Sequence, residues 1–261
     1  METVRSSDGT SIAFDRSGNG APVVLVGGAF QHRAFDPQIA DLASRLAKSF
    51  SVINYDRRGR GDSGDTQPYA VEREIEDLQV LAAEAGSPVS LYGSSSGANL
   101  ALAAARGGVD AAKLALWEPN LLVDDSRPPL PDDYVAQLEE RVQADRRGDA
   151  VEYFMTTAVS LPPEYIAPMR ETPMWAGMEE VANTLAYDGR IVDGFRLRAD
   201  ELASFDAETL VMAGGQALWM ESGAKALAEA LPNGEYRLLE GQEHGVDPEV
   251  IAPVLLEFFS G

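Results

Sequence analysis

The apolar positions of the chain switch between two spacings. Short continuous runs appear at 21–28 (APVVLVGG), 50–56 (FSVINYD), 87–93 (SPVSLYG), 113–119 (KLALWEP), 208–214 (ETLVMAG) and 235–241 (EYRLLEG). Runs of this kind, several closed by glycine, predict strands buried on both faces. Between them apolar residues recur every three or four positions: Ile39, Leu42 and Leu46 within 36–48, then Val71, Ile75, Leu78 and Leu81. That spacing predicts amphipathic helices. An alanine-rich helix is expected at 96–106, stopped by Gly107-Gly108, and another at 221–231. The last helix has Asp247 as its cap and Pro248 at its first position, with Val250, Ile251, Val254, Leu255 and Phe258 on its apolar face. Pro253 costs this helix a backbone bond. The N-terminal ETVRSS and SIAFDRSG, joined by a DGT turn, read as a hairpin.

Alternating strand and helix argue for an α/β fold built on a doubly wound, parallel sheet. The rhythm breaks near residue 120. From there to about 200 the sequence is polar, proline-rich and helical in period, which predicts several helices inserted between strands. Residues 1–119 and 201–261 therefore form the expected core, and residues 120–200 an inserted helical cap.

Composition narrows the partners. The chain has 261 residues, 42 acidic and 21 basic side chains and a formal net charge of −21. Such a chain repels phosphate backbones and anionic headgroups, so neither nucleic acid nor a membrane surface is an expected partner. Cysteine is absent, which excludes disulfides and thiolate chemistry. The N-terminal residues lack the apolar core of a secretion signal, no run is long enough for a membrane span, and a cytoplasmic location is expected. No cluster of histidine and carboxylates suggests a metal, and no cofactor is expected.

The sharpest chemical signal is YGSSSGA at 92–98. A G-x-S-x-G pattern alone is weak, but here it joins a strand to a helix. A nucleophile on such a turn sits in a strained conformation, so its neighbours must be small. Gly93 and Gly97 meet that need and put Ser95 at the tip. The N–H of Ser96 lies at a helix N-terminus, where it can stabilise an oxyanion. His244 and His32 are the only histidines. His244 follows a predicted strand, so it and Ser95 both fall at the carboxyl edge of the sheet, where open α/β sheets bind ligands. His244 is the expected general base.

With these residues in view the chain resembles the α/β-hydrolase superfamily along its whole length. DRRGRGDSG (56–64) resembles the family's early glycine-rich loop, YGSSSGA its nucleophile elbow, and GQEHGVDPEVIAPVLLEFF its histidine loop and closing helix. The resemblance implies an eight-stranded, mostly parallel sheet with helices on both faces and a helical cap. It also implies an oxyanion donor in the loop after the third strand. The usual His-Gly pair is replaced there by Gly27-Gly28, and the expected donor is Ala29, with Phe30 the less favoured one.

The triad acid departs from the family pattern. Similar proteins carry it a few residues past the strand expected at 208–214, where this chain has Ala217 and Leu218. Two readings follow. In one, Glu118 at the end of KLALWEP orients His244, as in members that place the acid after this strand. Its bland counterpart is a glutamate that caps a loop or pairs with an arginine such as Arg58. Asp124, Asp125 and Glu221 are weaker substitutes. In the other reading no acid works, and the protein binds a ligand or runs cofactor-free perhydrolase, lyase or oxygenase chemistry. The reading adopted is a serine hydrolase acting on a small uncharged or apolar carboxylic ester. Ser95 attacks, His244 shuttles the proton, Glu118 orients it, and Ala29 and Ser96 hold the oxyanion. Phe30, His32, Met155, Trp175 and Trp219 are the expected lining of the substrate pocket. Asp56 and Arg58 are read as structural.

Overall fold

A computed structural model describes residues 1–261. Eight strands form one sheet: β1 (Glu2–Arg5), β2 (Ser11–Ser17), β3 (Pro22–Val26), β4 (Ser51–Tyr55), β5 (Val89–Ser94), β6 (Ala111–Trp117), β7 (Glu208–Gly215) and β8 (Gly234–Gln242). Their spatial order is β1-β2-β4-β3-β5-β6-β7-β8. β1 and β2 pair antiparallel, as the predicted hairpin requires, and β2 pairs antiparallel with β4. Every pairing from β4 to β8 is parallel. The sheet is thus the eight-stranded, mostly parallel one that the sequence implies.

The period of two divides the strand residues between two cores. Val24, Val26, Leu114, Leu116, Val211 and Ala213 face one apolar cluster. Their neighbours Val23, Leu25, Ala115, Trp117, Leu210 and Met212 face another. Helices α1 (Pro37–Leu46), α2 (Val71–Ala85) and α3 (Ser96–Arg106) fill the connections up to β6. Helix α1 buries Ile39, Leu42 and Leu46 in the second cluster, and α2 buries Leu78 and Leu81 in the first. Each such buried leucine or isoleucine contributes about 1.5–3 kcal/mol relative to exposure.

Between β6 and β7 run α4 (Tyr134–Gln143), α5 (Arg147–Thr157), α6 (Ile166–Arg170), α7 (Pro173–Glu180) and α8 (Leu185–Val192). They gather a third apolar cluster of their own, including Leu138, Val151, Trp175, Met178 and Leu185. Ala29, Phe30 and Trp219 from the sheet's edge pack against it. The chain closes with α9 (Leu218–Ala230) and α10 (Pro248–Ser260). Asp247 caps α10 as expected, accepting from Glu249 N–H at 2.8 Å. The buried face of α10 differs from the expected one at its ends: Phe259 is buried and Val250 is exposed. Pro253 lies on the exposed face of the helix. No helix is long and apolar enough to cross a membrane.

Two local devices position the site. At Gly97 the start of α3 touches the end of β3; a Cβ there would collide with Val26 O and lie 2.6 Å from Gly27 O. The second is the loop at 56–64. Arg58 is fully buried and grips Asp77 with two bonds of 2.8 and 2.7 Å, and it donates to Asp8 at 2.9 Å. Asp56 accepts from Arg33 N–H at 2.8 Å and from Asp62 N–H at 2.9 Å. Burial raises the Asp8 carboxyl, but bonds from Thr10 and Arg58 outweigh it and lower the pKa from 3.8 to about 2.

Two outcomes are expected. Gly97→Ala forces α3 off β3, and thermal unfolding should show a loss of at least about 1–3 kcal/mol, the usual cost of overpacking. Asp8 has a depressed folded pKa, so its stabilisation is present above the ordinary aspartate pKa and is lost as pH falls toward 2. The melting temperatures of wild type and Asp8→Asn should therefore differ at pH 6 and converge on acidification toward pH 2.

Candidate active site

Ser95 sits between β5 and α3 with φ 57° and ψ −128°. This left-handed conformation is costly for a residue with a side chain. It persists because both flanks are fixed. Ser95 N–H donates to Trp117 O at 2.9 Å, and Ser95 O accepts from Ala98 N–H at 2.9 Å. The turn leaves the N–H of Ser96 with no acceptor in the protein. The Ser95 hydroxyl donates to Asn120 Oδ1 at 3.2 Å. Asn120 is in turn held by Asn99, whose Oδ1 accepts from Asn120 N–H at 2.9 Å.

Glu118 follows β6 in a left-handed conformation, φ 42°. Its N–H continues the sheet by donating to Met212 O at 2.9 Å. Its side chain is 1% exposed, and both carboxylate oxygens are used. Oε1 accepts from Gly214 N–H at 3.0 Å, and Oε2 lies 2.6 Å from His244 Nδ1. A buried carboxylate needs such partners, since an unpaired one is strongly disfavoured. Gly214 makes room for this: a Cβ on it would collide with Gln242 O. The indole N–H of Trp117 donates to His244 O at 2.8 Å, so two consecutive residues hold the histidine loop by its ring and by its backbone. Arg58, the alternative partner for Glu118, is engaged by Asp77 and Asp8. At the family's usual acid position Ala217 precedes α9, and Leu218 is 72% exposed.

Ala29 and Phe30 lie in the turn after β3. Phe30 is left-handed, φ 65°. The N–H of Ala29, like that of Ser96, has no acceptor in the protein. The Gly28 carbonyl accepts from Arg60 Nη1, and Gly28 N–H donates to Gln31 Oε1. Gln31 donates onward to Asp36, which caps α1. The loop is thus tied from both sides.

A cavity of about 510 Å³ joins these parts. Ala29, Ser95, Ser96, Glu118, Asn120 and His244 reach it, together with Phe30, Phe154, Met155, Phe195 and Trp219. Three expected pocket residues, Phe30, Met155 and Trp219, are therefore at the cavity, and two are elsewhere. Trp175 is buried in the insertion's own core, where its ring N–H donates to Glu179 Oε1 at 2.8 Å. His32 does not reach the cavity: it stacks on Phe35 at 5.5 Å, and neither ring nitrogen has a hydrogen-bond partner. Burial lowers its pKa and favours the neutral ring.

The sequence did not single out a buried polar cluster under the same cavity. Asp188 of α8 accepts from Ser96 Oγ at 2.7 Å, from Arg57 Nη1 at 2.8 Å and from Arg60 Nη2 at 2.7 Å. Arg57 also forks onto Glu74 at 2.7 and 2.8 Å. Burial raises the Asp188 carboxyl, but the two guanidinium groups and Ser96 outweigh it and hold the group ionised. Asp188 stands 128 residues from Arg60 in an unremarkable polar stretch, so no local pattern marks it. Asn120 follows Glu118 by two residues, and its tie to Asn99 is equally invisible without the fold.

A model of the alpha/beta hydrolase family matches residues 23–254. The non-heme chloroperoxidase CPO-A1 of Kitasatospora aureofaciens is 27% identical over the full length of both chains. An alpha/beta hydrolase from Sphaerobacter thermophilus DSM 20745 is 54% identical, with 99% of this chain and 100% of that one covered and a TM-score of 0.92. A thermophilic esterase from Thermogutta terrifontis, solved with malate bound, has the same fold at 24% identity, covering 100% of this chain and 98% of that one with a TM-score of 0.76. This chain belongs to the alpha/beta hydrolase family.

Proposed function

We propose that the protein is a serine hydrolase that cleaves small uncharged or apolar carboxylic esters through an acyl-enzyme on Ser95. The observation that carries this reading is the 2.6 Å contact between His244 Nδ1 and the buried Glu118 carboxylate, at a cavity that also holds Ser95 on its strained turn. With Nδ1–H donated to Glu118, the neutral imidazole keeps its lone pair on Nε2, where a base must have it. The same pair supports the catalytic reading over a binding module without a triad.

The steps follow from the positions. The Ser95 hydroxyl turns from Asn120 toward His244 as substrate enters; such bonds are commonly long or misdirected before binding. Ser95 Oγ adds to the ester carbonyl as His244 Nε2 takes its proton. The carbonyl oxygen becomes an oxyanion between the free N–H groups of Ala29 and Ser96. Collapse breaks the ester bond, and His244 returns the proton to the departing alkoxide. Water then repeats the addition on the acyl-enzyme, releasing the acid and restoring Ser95. Glu118 accepts from Nδ1–H throughout and stabilises the imidazolium.

The cavity supports the substrate class. Its volume suits a small ligand. Its walls are Phe30, Phe154, Phe195, Trp219 and several methionines, and no lysine or arginine lines it. Arg127 stacks on the rings of Phe195 and Trp219. The lining carboxylates Glu118 and Asp188, together with a net charge of −21, disfavour a substrate bearing its own carboxylate. The insertion, residues 120–200, acts in this reading as a cap over the core formed by residues 1–119 and 201–261.

The chloroperoxidase relative favours a second use of the same acyl-enzyme. Hydrogen peroxide in place of water would attack the acyl carbon, giving a peroxy acid and free Ser95. An assay for peroxy acid with ester and peroxide present separates the two fates.

Ser95→Ala should abolish both ester turnover and the covalent adduct that a reactive phosphonate leaves on wild type, read by intact mass. An unlabelled wild type would overturn the proposal. In Glu118→Gln the amide oxygen stays on Gly214 N–H, and its NH2 group meets Nδ1. That forces the proton onto Nε2 and removes the base. Turnover should fall by as much as ~10⁴ with the fold intact, the size of effect seen when a triad acid becomes an amide. Near-normal activity would remove Glu118 from the mechanism.

A further inference from the structure

The two N–H groups assigned to the oxyanion lie on segments far apart in sequence, and the same buried carboxylate reaches both segments. The peptide between Gly28 and Ala29 is planar, so its C=O and N–H point in opposite directions. Arg60 Nη1 holds the Gly28 carbonyl and also reaches Gln31 O at 3.3 Å. Fixing that carbonyl therefore aims the Ala29 N–H the other way. Arg57 Nη1 adds a bond of 3.2 Å to the preceding carbonyl, Gly27 O. Both arginines are fixed by Asp188, which takes one guanidinium on each carboxylate oxygen. The same Asp188 Oδ1 accepts the Ser96 hydroxyl at 2.7 Å and so fixes the residue that carries the second donor.

The cluster is self-contained. Arg57 and Arg60 face Asp188 and Glu74, two charges of each sign, all four side chains buried. Tyr69 closes its far side by donating to Glu74 at 2.9 Å, and Thr184 accepts from Arg60 Nε at 3.0 Å. Only Asp188 touches both arginines and Ser96.

We propose that Asp188 is a positioning residue for the oxyanion site: by bridging Arg60, Arg57 and Ser96 it sets the direction of the Ala29 and Ser96 N–H groups. It touches no reacting atom. Helix α8 of the insertion thereby supplies part of the machinery at the sheet's edge. The inference rests on the serine-hydrolase reading.

Charge and position predict opposite effects, which makes the inference testable. Removing the negative charge of Asp188 leaves an unbalanced cation near the oxyanion, so electrostatics alone would tighten oxyanion binding. Loss of aim would weaken it. In Asp188→Asn the amide NH2 opposes one of the arginines, donor to donor, and the bridge is lost.

The test uses a trifluoromethyl ketone, to which an active serine adds to give an oxyanion, and the matching carbinol, which fills the cavity without forming one. In Asp188→Asn the ketone should bind about 30- to 100-fold more weakly and the carbinol less than about threefold, somewhat below the 10²–10³ cost of deleting a donor outright. The parallel kinetic signature is a fall in kcat with KM nearly unchanged. Ser96→Ala keeps the backbone donor and all four charges, removes only the hydroxyl that Asp188 holds, and should show a smaller loss confined to the ketone. It carries the test alone should Asp188→Asn not fold. Equal weakening of ketone and carbinol, or unchanged or tighter ketone binding in the folded variants, overturns the proposal. A ketone that binds wild type no better than Ser95→Ala removes the serine-hydrolase reading and this inference with it.

Discussion

The site depends on one buried carboxylate finding two donors at the end of β6. Glu118 is removed from water, and an ionised carboxylate there is tolerable only if its oxygens are paired. Gly214 N–H satisfies one oxygen and His244 the other. That requirement links three strand ends: β6 leads into the carboxylate, β7 supplies the backbone donor, and β8 leads to the histidine loop. Gly214 cannot carry a side chain without striking Gln242, so the approach of β7 and β8 is part of the same constraint. The left-handed backbone of Glu118, like that of Ser95, is strain held in place by the surrounding sheet.

The fold was legible because its signals are local. Alternating strand residues divide cleanly between the two apolar clusters on the sheet, and the amphipathic periods of α1 and α2 lie where the apolar spacing places them. The elbow was legible for a related reason: a sharp strand-to-helix turn needs small flanking residues, and sterics write that need into adjacent positions. Position at a strand end and the family resemblance both point to Glu118; the contact it makes spans 126 residues and has no local pattern. Asn120, Asp188 and the arginines beneath the loop after β3, Arg57 and Arg60, carry no such signal. Their roles arise from pairings across the fold, and a polar residue in a polar stretch looks the same whether it faces water or a guanidinium. Trp175 and His32 went the other way. An aromatic group near a predicted pocket can pack elsewhere: Trp175 enters the core of the inserted helices, and His32 stacks on Phe35 in the turn before α1.

Charge is distributed unevenly in a way the net value conceals. The chain carries twice as many acids as bases, yet it buries Arg57, Arg58 and Arg60 almost completely within one loop. Each is matched to carboxylates from other elements: Asp8, Glu74, Asp77 and Asp188. Such pairs are shielded from salt, unlike the ion pairs on the surface. Their stabilising worth is modest against a well-packed apolar alternative, but their geometry is directional. Guanidinium forks fix the loop after β3, the start of α3 and helix α8 relative to one another, which apolar contacts alone would not do.

The place of the buried carboxylate also changes what the chain after β7 is free to do. With the carboxylate just after β6, residues 216–218 need no ionisable side chain beside His244. Gln216 and Ala217 line the cavity, and Leu218 projects into solvent. A position that would otherwise be frozen becomes open to drift at the rim of the binding chamber. Selection can alter the shape and wetting of that rim in small steps without disturbing the pair formed by Glu118 and His244.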